Sequence, residues 1–234
     1  RDNEKITALQ KQLVRRVEIK LLAVQKVCSS DSGPGVDGIK WKTPGEKMRA
    51  ALMLTSKGFQ AKPMRDIIVK SKSTGHERTY GLPTFHDRAM QVLYGFSLAP
   101  VLETWGEKKS FAFREGPSAL DVNAYILEAL QGPNAPEYVV LVDVRAYYSN
   151  IQQDWLMRHI PMDKKVLAQF LKAGHVFAGE LFPSEEVGIS LGANLSPLMA
   201  NHVLDGLQAY IYHMMYPGTQ EVDYASGNLV RFAD

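Results

Sequence analysis

The chain has a single cysteine, Cys28, in 234 residues. A disulfide within the chain is therefore excluded, and a cysteine-based zinc centre lacks its ligands. A lone thiol fits a reducing, cytoplasmic compartment. Cys28 is expected to be a small buried hydrophobe near a helix end. No apolar run approaches the ~18 residues that a membrane-crossing helix needs, so no membrane partner is expected. An initiating methionine and a signal-peptide pattern are both missing. The sequence runs from Arg1 to Asp234, which directly follows an apolar run, and this predicts a piece of a longer polypeptide. Internal repeats, low-complexity tracts and a clear domain linker are missing too. What remains is an ordinary globular composition, long enough for one large domain or two modest ones with a real core.

Net charge is also nearly absent, at +2, but it is unevenly spread. Residues 1–90 carry 18 Lys and Arg against 9 Asp and Glu, whereas residues 91–234 carry 9 against 16. A basic half joined to an acidic half suggests a polyanion held by one part and metal-binding or catalytic carboxylates in the other.

The local patterns predict helices, then a hairpin, then strands alternating with helices, an α+β or α/β organisation. "EKITALQKQLVRRVEIKLLAVQKV" repeats apolar residues at Ile6, Leu9, Leu13, Val17, Leu21 and Val24, the spacing of one amphipathic helix. "TPGEKMRAALML" predicts a second helix with Pro44 in its first turn. "KPMRDIIVKSKSTGHERTYGLP" reads as two strands around a polar turn. "TFHDRAMQVLYGFSLAPVLETW" reads as a helix kinked or broken at Pro100, and "SALDVNAYILEALQ" as a helix capped by Ser118. "EYVVLVDV" predicts a strand covered on both faces, and "DKKVLAQFLKAG" a helix ending at Gly174. "SPLMANHVLDGLQAYIYHMMY" predicts one long helix with an apolar stripe of Leu198, Val203, Leu207 and Ile211. "NLVRFAD" predicts the start of a strand.

Two short hydrophobic strands thus end on aspartate, Asp143 and Asp234. Carboxylates mounted on neighbouring strands repel unless a cation lies between them. An all-oxygen site of this kind suits Mg²⁺, and a pair of ions ~4 Å apart stabilises the attacking and leaving oxygens of phosphoryl transfer.

The company of these segments narrows the reading. "VVLVDVRAYYSNI" is followed about 45 residues later by "GISLGANLSPLMANHVLDGL", and then by "VRFAD". Upstream stand "RRVEIKLLAVQKV…GPGVDGI", "RTYGLPTFHDRAMQ" and "SFAFREGPSALD". In this order the segments resemble the fingers and palm of reverse transcriptases of the group II intron-like type. The resemblance covers most of the chain. It implies a right-hand polymerase fold without its thumb: fingers over residues 1–125, and over 126–234 a palm that stops inside the third catalytic motif.

The resemblance also implies roles. Asp143 and Asp234 would hold two Mg²⁺ ions, or Mn²⁺ in their place, with help from the Val144 carbonyl. Tyr148 would be the aromatic gate under the sugar that excludes a 2′-hydroxyl, and Tyr147 would pack. Arg78 and either Lys70 or Lys72 would hold the triphosphate of the incoming nucleotide. Leu191 would border the nucleotide. Arg114, Gly192, Ser196 and Pro197 would lie by template or primer, and Arg15 and Arg16 would follow the nucleic-acid backbone. The implied partners are an RNA template, a DNA or RNA primer, deoxynucleotides, and fused or associated integrase or RNA-processing domains. The setting would be the cytoplasm of a prokaryote, in intron mobility or in CRISPR spacer acquisition from RNA.

Two positions depart from the family pattern. Leu191 stands where the family usually has glutamine, and an aliphatic side chain cannot hydrogen-bond. An aliphatic residue here is similar to that of error-prone retroelement enzymes, although Ser196 and Pro197 are kept. Pro117 replaces an arginine often found there. With no second aspartate after Asp234, these residues alone are expected to be inactive. A second reading is an RNA-binding scaffold that keeps the fold without the chemistry. A third is a nucleotidyl transferase that needs no template.

Overall fold

A computed structural model describes residues 3–71, 75–114, 119–131, 135–218 and 229–233. The chain forms two compact units, one of Arg1–Val101 with Tyr148–Ser196 and the other of Leu102–Tyr147 with Pro197–Asp234.

The first unit begins with helices α1 (Asn3–Arg15) and α2 (Val17–Cys28). They are two helices where the periodicity predicts one, because Arg16 is extended at φ −70°, ψ 131°. Local pattern alone does not hold a helix continuous; burial of a face does. Here α1 buries no side chain, while α2 buries Ala23, Val24 and Val27, so only α2 is fixed by packing. Cys28 ends α2 half-buried, with burial pushing its thiol up. Helix α3 (Pro44–Met53) starts as expected. The Thr43 hydroxyl accepts from the Glu46 amide, and the Glu46 carboxylate accepts from the Thr43 amide, a reciprocal cap that satisfies two orphan donors.

Strands β1 (Met64–Lys70) and β2 (Glu77–Leu82) form the expected antiparallel hairpin, pairing Arg65 with Leu82 through Lys70 with Glu77. Helix α4 (Phe85–Trp105) continues through Pro100 rather than breaking there. An interior proline costs ~3 kcal/mol. Leu98 and Leu102, one on each side of it, are buried and hold the helix on both sides.

Three elements of the first unit are not foreseen. Helix α7 (Gln153–His159) lies before α8 (Lys164–Leu171), and two three-residue strands follow, β3 (His175–Phe177) and β4 (Glu180–Phe182). Strand β3 joins β1 in parallel and β4 in antiparallel, giving the order β2-β1-β3-β4. Strands this short carry too little periodicity to read. Asp163 caps α8, and Val166, Leu167, Phe170 and Leu171 make its buried face. Gly174 follows with φ +69°, the left-handed conformation that ends such a helix.

In the second unit, helix α5 (Ala119–Gln131) matches its expectation, while its predicted cap Ser118 lies outside the described residues. The predicted buried strand at 137–144 is not formed. These residues have no regular structure, and Val140 and Leu141 are 80% and 94% exposed. A strand exists only through its neighbours, and among the described residues none pairs with this run. The chain then turns through Ala146, at φ +51°, into the one-turn helix α6 (Tyr147–Asn150). The predicted long helix is two, α9 (Ser196–Val203) and α10 (Leu207–Met215), parted at Gly206 with φ +97°. Its buried residues are Ser196, Met199, Ala200, Asn201 and Gln208 rather than the predicted stripe. Instead of a strand start, Arg231 makes an isolated parallel bridge with Ser110.

Candidate active site

The first unit brings together most of the residues expected to meet a nucleotide. The glycine-rich segment before α9 lies along the outer edge of β2: the Gly81 amide donates to the Leu191 carbonyl at 2.8 Å. Gly192 has φ +96°, and a Cβ there would come within 2.9 Å of the Gly81 carbonyl oxygen. A Cβ on Gly81 would in turn meet Ser190 Oγ at 2.2 Å. Gly192 is therefore required by the approach of the Gly81 backbone, whereas Gly81 is crowded by the Ser190 side chain. The segment is also seated on α4. The Asn194 amide donates to Gln91 Oε1 at 2.7 Å, and Asn194 Nδ2 to the Arg88 carbonyl at 3.4 Å. Two motifs more than 100 residues apart thus interlock, "YGLPTFHDRAMQ" with "SLGANLSP".

Arg88 anchors this platform. It is buried, with Nε donating to the Pro83 carbonyl at 2.9 Å and the guanidinium reaching Ser32 and the Gly33 carbonyl. Its ring neighbour is Phe85, 4.6 Å away. Burial, together with nearby Arg65, lowers its pKa. The loop it holds is equally tight, since a Cβ on Gly35 would lie 2.6 Å from Thr84 backbone. Sequence reasoning missed Arg88, Gln91 and Asn194 as site supports. Their signal was their presence inside the quoted motifs.

Tyr148 opens the chain's return to the first unit, and its carbonyl accepts from the Ile189 amide at 2.9 Å. Gly188 donates to the Ile151 carbonyl at 2.7 Å. Tyr148, the 188–192 segment and the hairpin edge therefore form one hydrogen-bonded run. On the hairpin, Arg78 lies opposite Val69, and Lys70 lies opposite Glu77 with its Nζ 3.7 Å from the carboxylate. Facing residues share a side of the sheet and successive ones alternate, so Lys70 and Arg78 are on opposite faces. Both are exposed, and Lys72 lies outside the described residues. Ser196 is buried, and Pro197 sits in the first turn of α9.

Asp143 and Val144 are exposed, and Asp234, like Pro117, lies outside the described residues. Among the described residues no three His, Cys, Asp or Glu side chains could jointly hold a metal ion. Carboxylate and carbonyl oxygens remain the correct donor type for Mg²⁺. Tyr147 packs as expected: it is buried, and its hydroxyl donates to the Ala200 carbonyl at 2.6 Å.

Within the same unit Arg114 is fully engaged. It donates to both Glu103 oxygens, at 2.8 and 2.5 Å, and to the carbonyls of Glu107 and Ser110. Its pairing with Glu103 raises its pKa. An arginine so committed acts here as a brace. Arg231, three residues before Asp234, is held likewise. It donates to the Asn201 carbonyl and to Asp205 Oδ1, each at 3.0 Å. Its backbone pairs with Lys109 and Phe111. The exposed Arg15 and Arg16 flank the junction of α1 and α2.

Comparison with known proteins names the family. Residues 68–234 match the family described as reverse transcriptase (RNA-dependent DNA polymerase), and residues 1–54 match the N-terminal domain of reverse transcriptase. The chain belongs to the reverse transcriptase family. It is 26% identical over 203 residues to protein YkfC of Escherichia coli strain K12, covering 81% of this chain and 53% of that protein. It is 26% identical over 223 residues to the group II intron-encoded protein LtrA of Lactococcus lactis subsp. cremoris, covering 91% of this chain and 36% of LtrA. The chain thus spans about half or less of the curated relatives it matches. Among solved structures, a partial Cas6-RT-Cas1–Cas2 complex has the same fold, with a TM-score of 0.52 and 18% identity, over 97% of this chain and 37% of that one.

Proposed function

We propose that the protein carrying this chain is an RNA-directed DNA polymerase that extends a primer 3′-hydroxyl with deoxynucleotides on an RNA template. The observation that carries this reading is the interlock of β2 with the 188–192 segment, in a chain whose residues 68–234 match the family. It gathers Arg78, Tyr148, Leu191 and Gly192 into one unit. In this reading Arg78 binds the triphosphate, Lys70 being on the opposite face of the hairpin, and Tyr148 excludes the 2′-hydroxyl. Asp143, the Val144 carbonyl and Asp234 would hold two Mg²⁺ ions. When bound, such ions neutralise charge on the transferring phosphoryl group and activate the attacking oxygen. Arg15 and Arg16 neutralise backbone phosphates, whereas Arg114 supports the template side indirectly through the loop it braces. The similarities to an intron-encoded protein and to a CRISPR-associated complex support two settings, intron mobility and spacer acquisition from RNA.

The exposed Asp143 and the aliphatic Leu191 favour one second reading, a scaffold that binds RNA without copying it. Primer extension on a defined RNA template separates the two. Products whose sequence follows the template support the polymerase. Retarded RNA with no product under Mg²⁺ or Mn²⁺ supports the scaffold, and extension independent of template sequence supports neither.

A further inference from the structure

Two residues outside the segments that carry the family resemblance meet against the interlock of β2 with the 188–192 segment. His175 opens β3 and Asp66 lies in β1, 109 residues away in sequence, and His175 Nδ1 donates to Asp66 Oδ1 at 2.8 Å. A carboxylate only accepts, so the imidazole carries a proton on Nδ1. The register puts both side chains on one face of the sheet. His175 is paired with Met64, two residues from Asp66, and Asp66 is paired with Gly81 of β2. Gly81 has no side chain to cover this face. A Cβ there would meet Ser190 Oγ at 2.2 Å, and His175 Cε1 and Met64 Sδ at 3.2 Å each. The edge of the His175 ring thus reaches across β1 and rests against the backbone of β2.

Strand β3 gains much from this tether. It is three residues long and pairs with β1 at two positions, Met64 with His175 and Arg65 with Val176. Pairing that short is weak. The Asp66–His175 bond adds a side-chain link between the same two strands. The two side chains are 14% and 31% exposed, and such shielding strengthens a hydrogen bond. The bond also fixes the ring where it touches Gly81, whose amide donates to the Leu191 carbonyl at 2.8 Å. Asp66, His175, Gly81 and Leu191 therefore form one line of contacts, ending on the segment that carries Gly192.

We propose that His175, oriented by Asp66, is a positioning residue: it holds Gly81, and through Gly81 it sets where Leu191 and Gly192 meet an incoming nucleotide. The nucleotide in this statement rests on the polymerase reading; the hold on Gly81 does not. His175 acts through the strand rather than by touching the nucleotide. A support displaced by about 1 Å is enough to slow a reaction at a distance.

The test compares His175→Ala, Asp66→Ala, the double variant and Asp66→Asn with the wild type, each in the protein carrying this chain. Hydrogen exchange of a peptide containing the Gly81 amide reads the hold on Gly81. Exchange in α2 and α8 reports that the rest of the unit is folded. KM for a deoxynucleotide and kcat in primer extension read the consequence. Each alanine variant should speed exchange at Gly81 by about tenfold or more. Each should raise KM roughly threefold or more, with kcat within about twofold of wild type. The double variant should be no worse than either single one, because the two residues act as a unit. Asp66→Asn keeps an oxygen for Nδ1 and should stay near wild type. If His175→Ala unfolds, Asp66→Ala, which leaves the ring in the chain, carries the comparison. Wild-type exchange at Gly81 in a folded alanine variant would overturn the proposal. So would additive effects in the double variant, or a fall in kcat with KM unchanged. A wild-type protein that makes no product would instead count against the polymerase reading, and faster Gly81 exchange in the variants would still support the hold on Gly81.

Discussion

Gly192 is the residue on which the local architecture turns. Its φ of +96° and the 2.9 Å approach to the Gly81 carbonyl leave no room for a side chain. A non-glycine residue in such backbone costs ~1–3 kcal/mol before any clash is counted. Gly192→Ala should lose at least ~2 kcal/mol in urea unfolding, and a wild-type midpoint would contradict the interlock. Leu191 differs, because its contact with β2 is through its carbonyl. Leu191→Gln should therefore keep the fold and add a hydrogen-bonding side chain at the proposed nucleotide site. Higher fidelity or processivity on a defined RNA template is expected, and an unchanged error spectrum and rate would count against that role. For Tyr148, truncation to alanine should raise ribonucleotide incorporation relative to deoxynucleotide by roughly tenfold or more, about the 1–3 kcal/mol that a steric pocket contributes. Unaltered sugar discrimination would remove Tyr148 as the gate.

At the scale of elements, what was legible depended on whether the local signal and the packing agreed. The α3 start was readable because Thr43, Pro44 and Glu46 are a complete cap in four residues. Thr43→Ala should cost ~1 kcal/mol of stability, read by thermal or urea unfolding; no change would mean α3 is held by packing alone. The pKa of Glu46 is lowered, chiefly by the Thr43 and Lys42 amides. Its support is thus present above the ordinary carboxylate range and lost as pH falls through the lowered value. The hairpin was readable from its two periods and polar turn. The 137–144 run was not, because a valine-rich sequence states only that a strand is favourable if partners exist. The split of α9 from α10 was marked by Gly206, yet a glycine inside an apolar pattern is ambiguous without the backbone angle. Pro100 misled in the opposite direction, since burial of Leu98 and Leu102 outweighs its cost.

Over the whole molecule, the order of motifs gave the family, and hydrogen bonds join two of them, the Gly81 amide to the Leu191 carbonyl and the Asn194 amide to Gln91. Asp143 and Tyr148 were singled out through the family resemblance, and their roles are what their alanine variants test. The supports Arg88, Gln91 and Asn194 were not, since a buried polar side chain has no periodic signature. The charge asymmetry was coarse: it suggested a polyanion without foretelling that Lys164 and Lys165 would line one cleft with Lys11, Arg15 and Lys20 of the N-terminal helices. The central claim is copying of RNA into DNA at Asp143. Its most direct test is primer extension on an RNA template by the protein carrying this chain, wild type beside Asp143→Ala, with RNA binding measured on both. The account predicts template-directed deoxynucleotide incorporation by the wild type, and its loss in the variant with RNA affinity retained. Equal extension by both proteins, or none by either under Mg²⁺ and Mn²⁺, would contradict it.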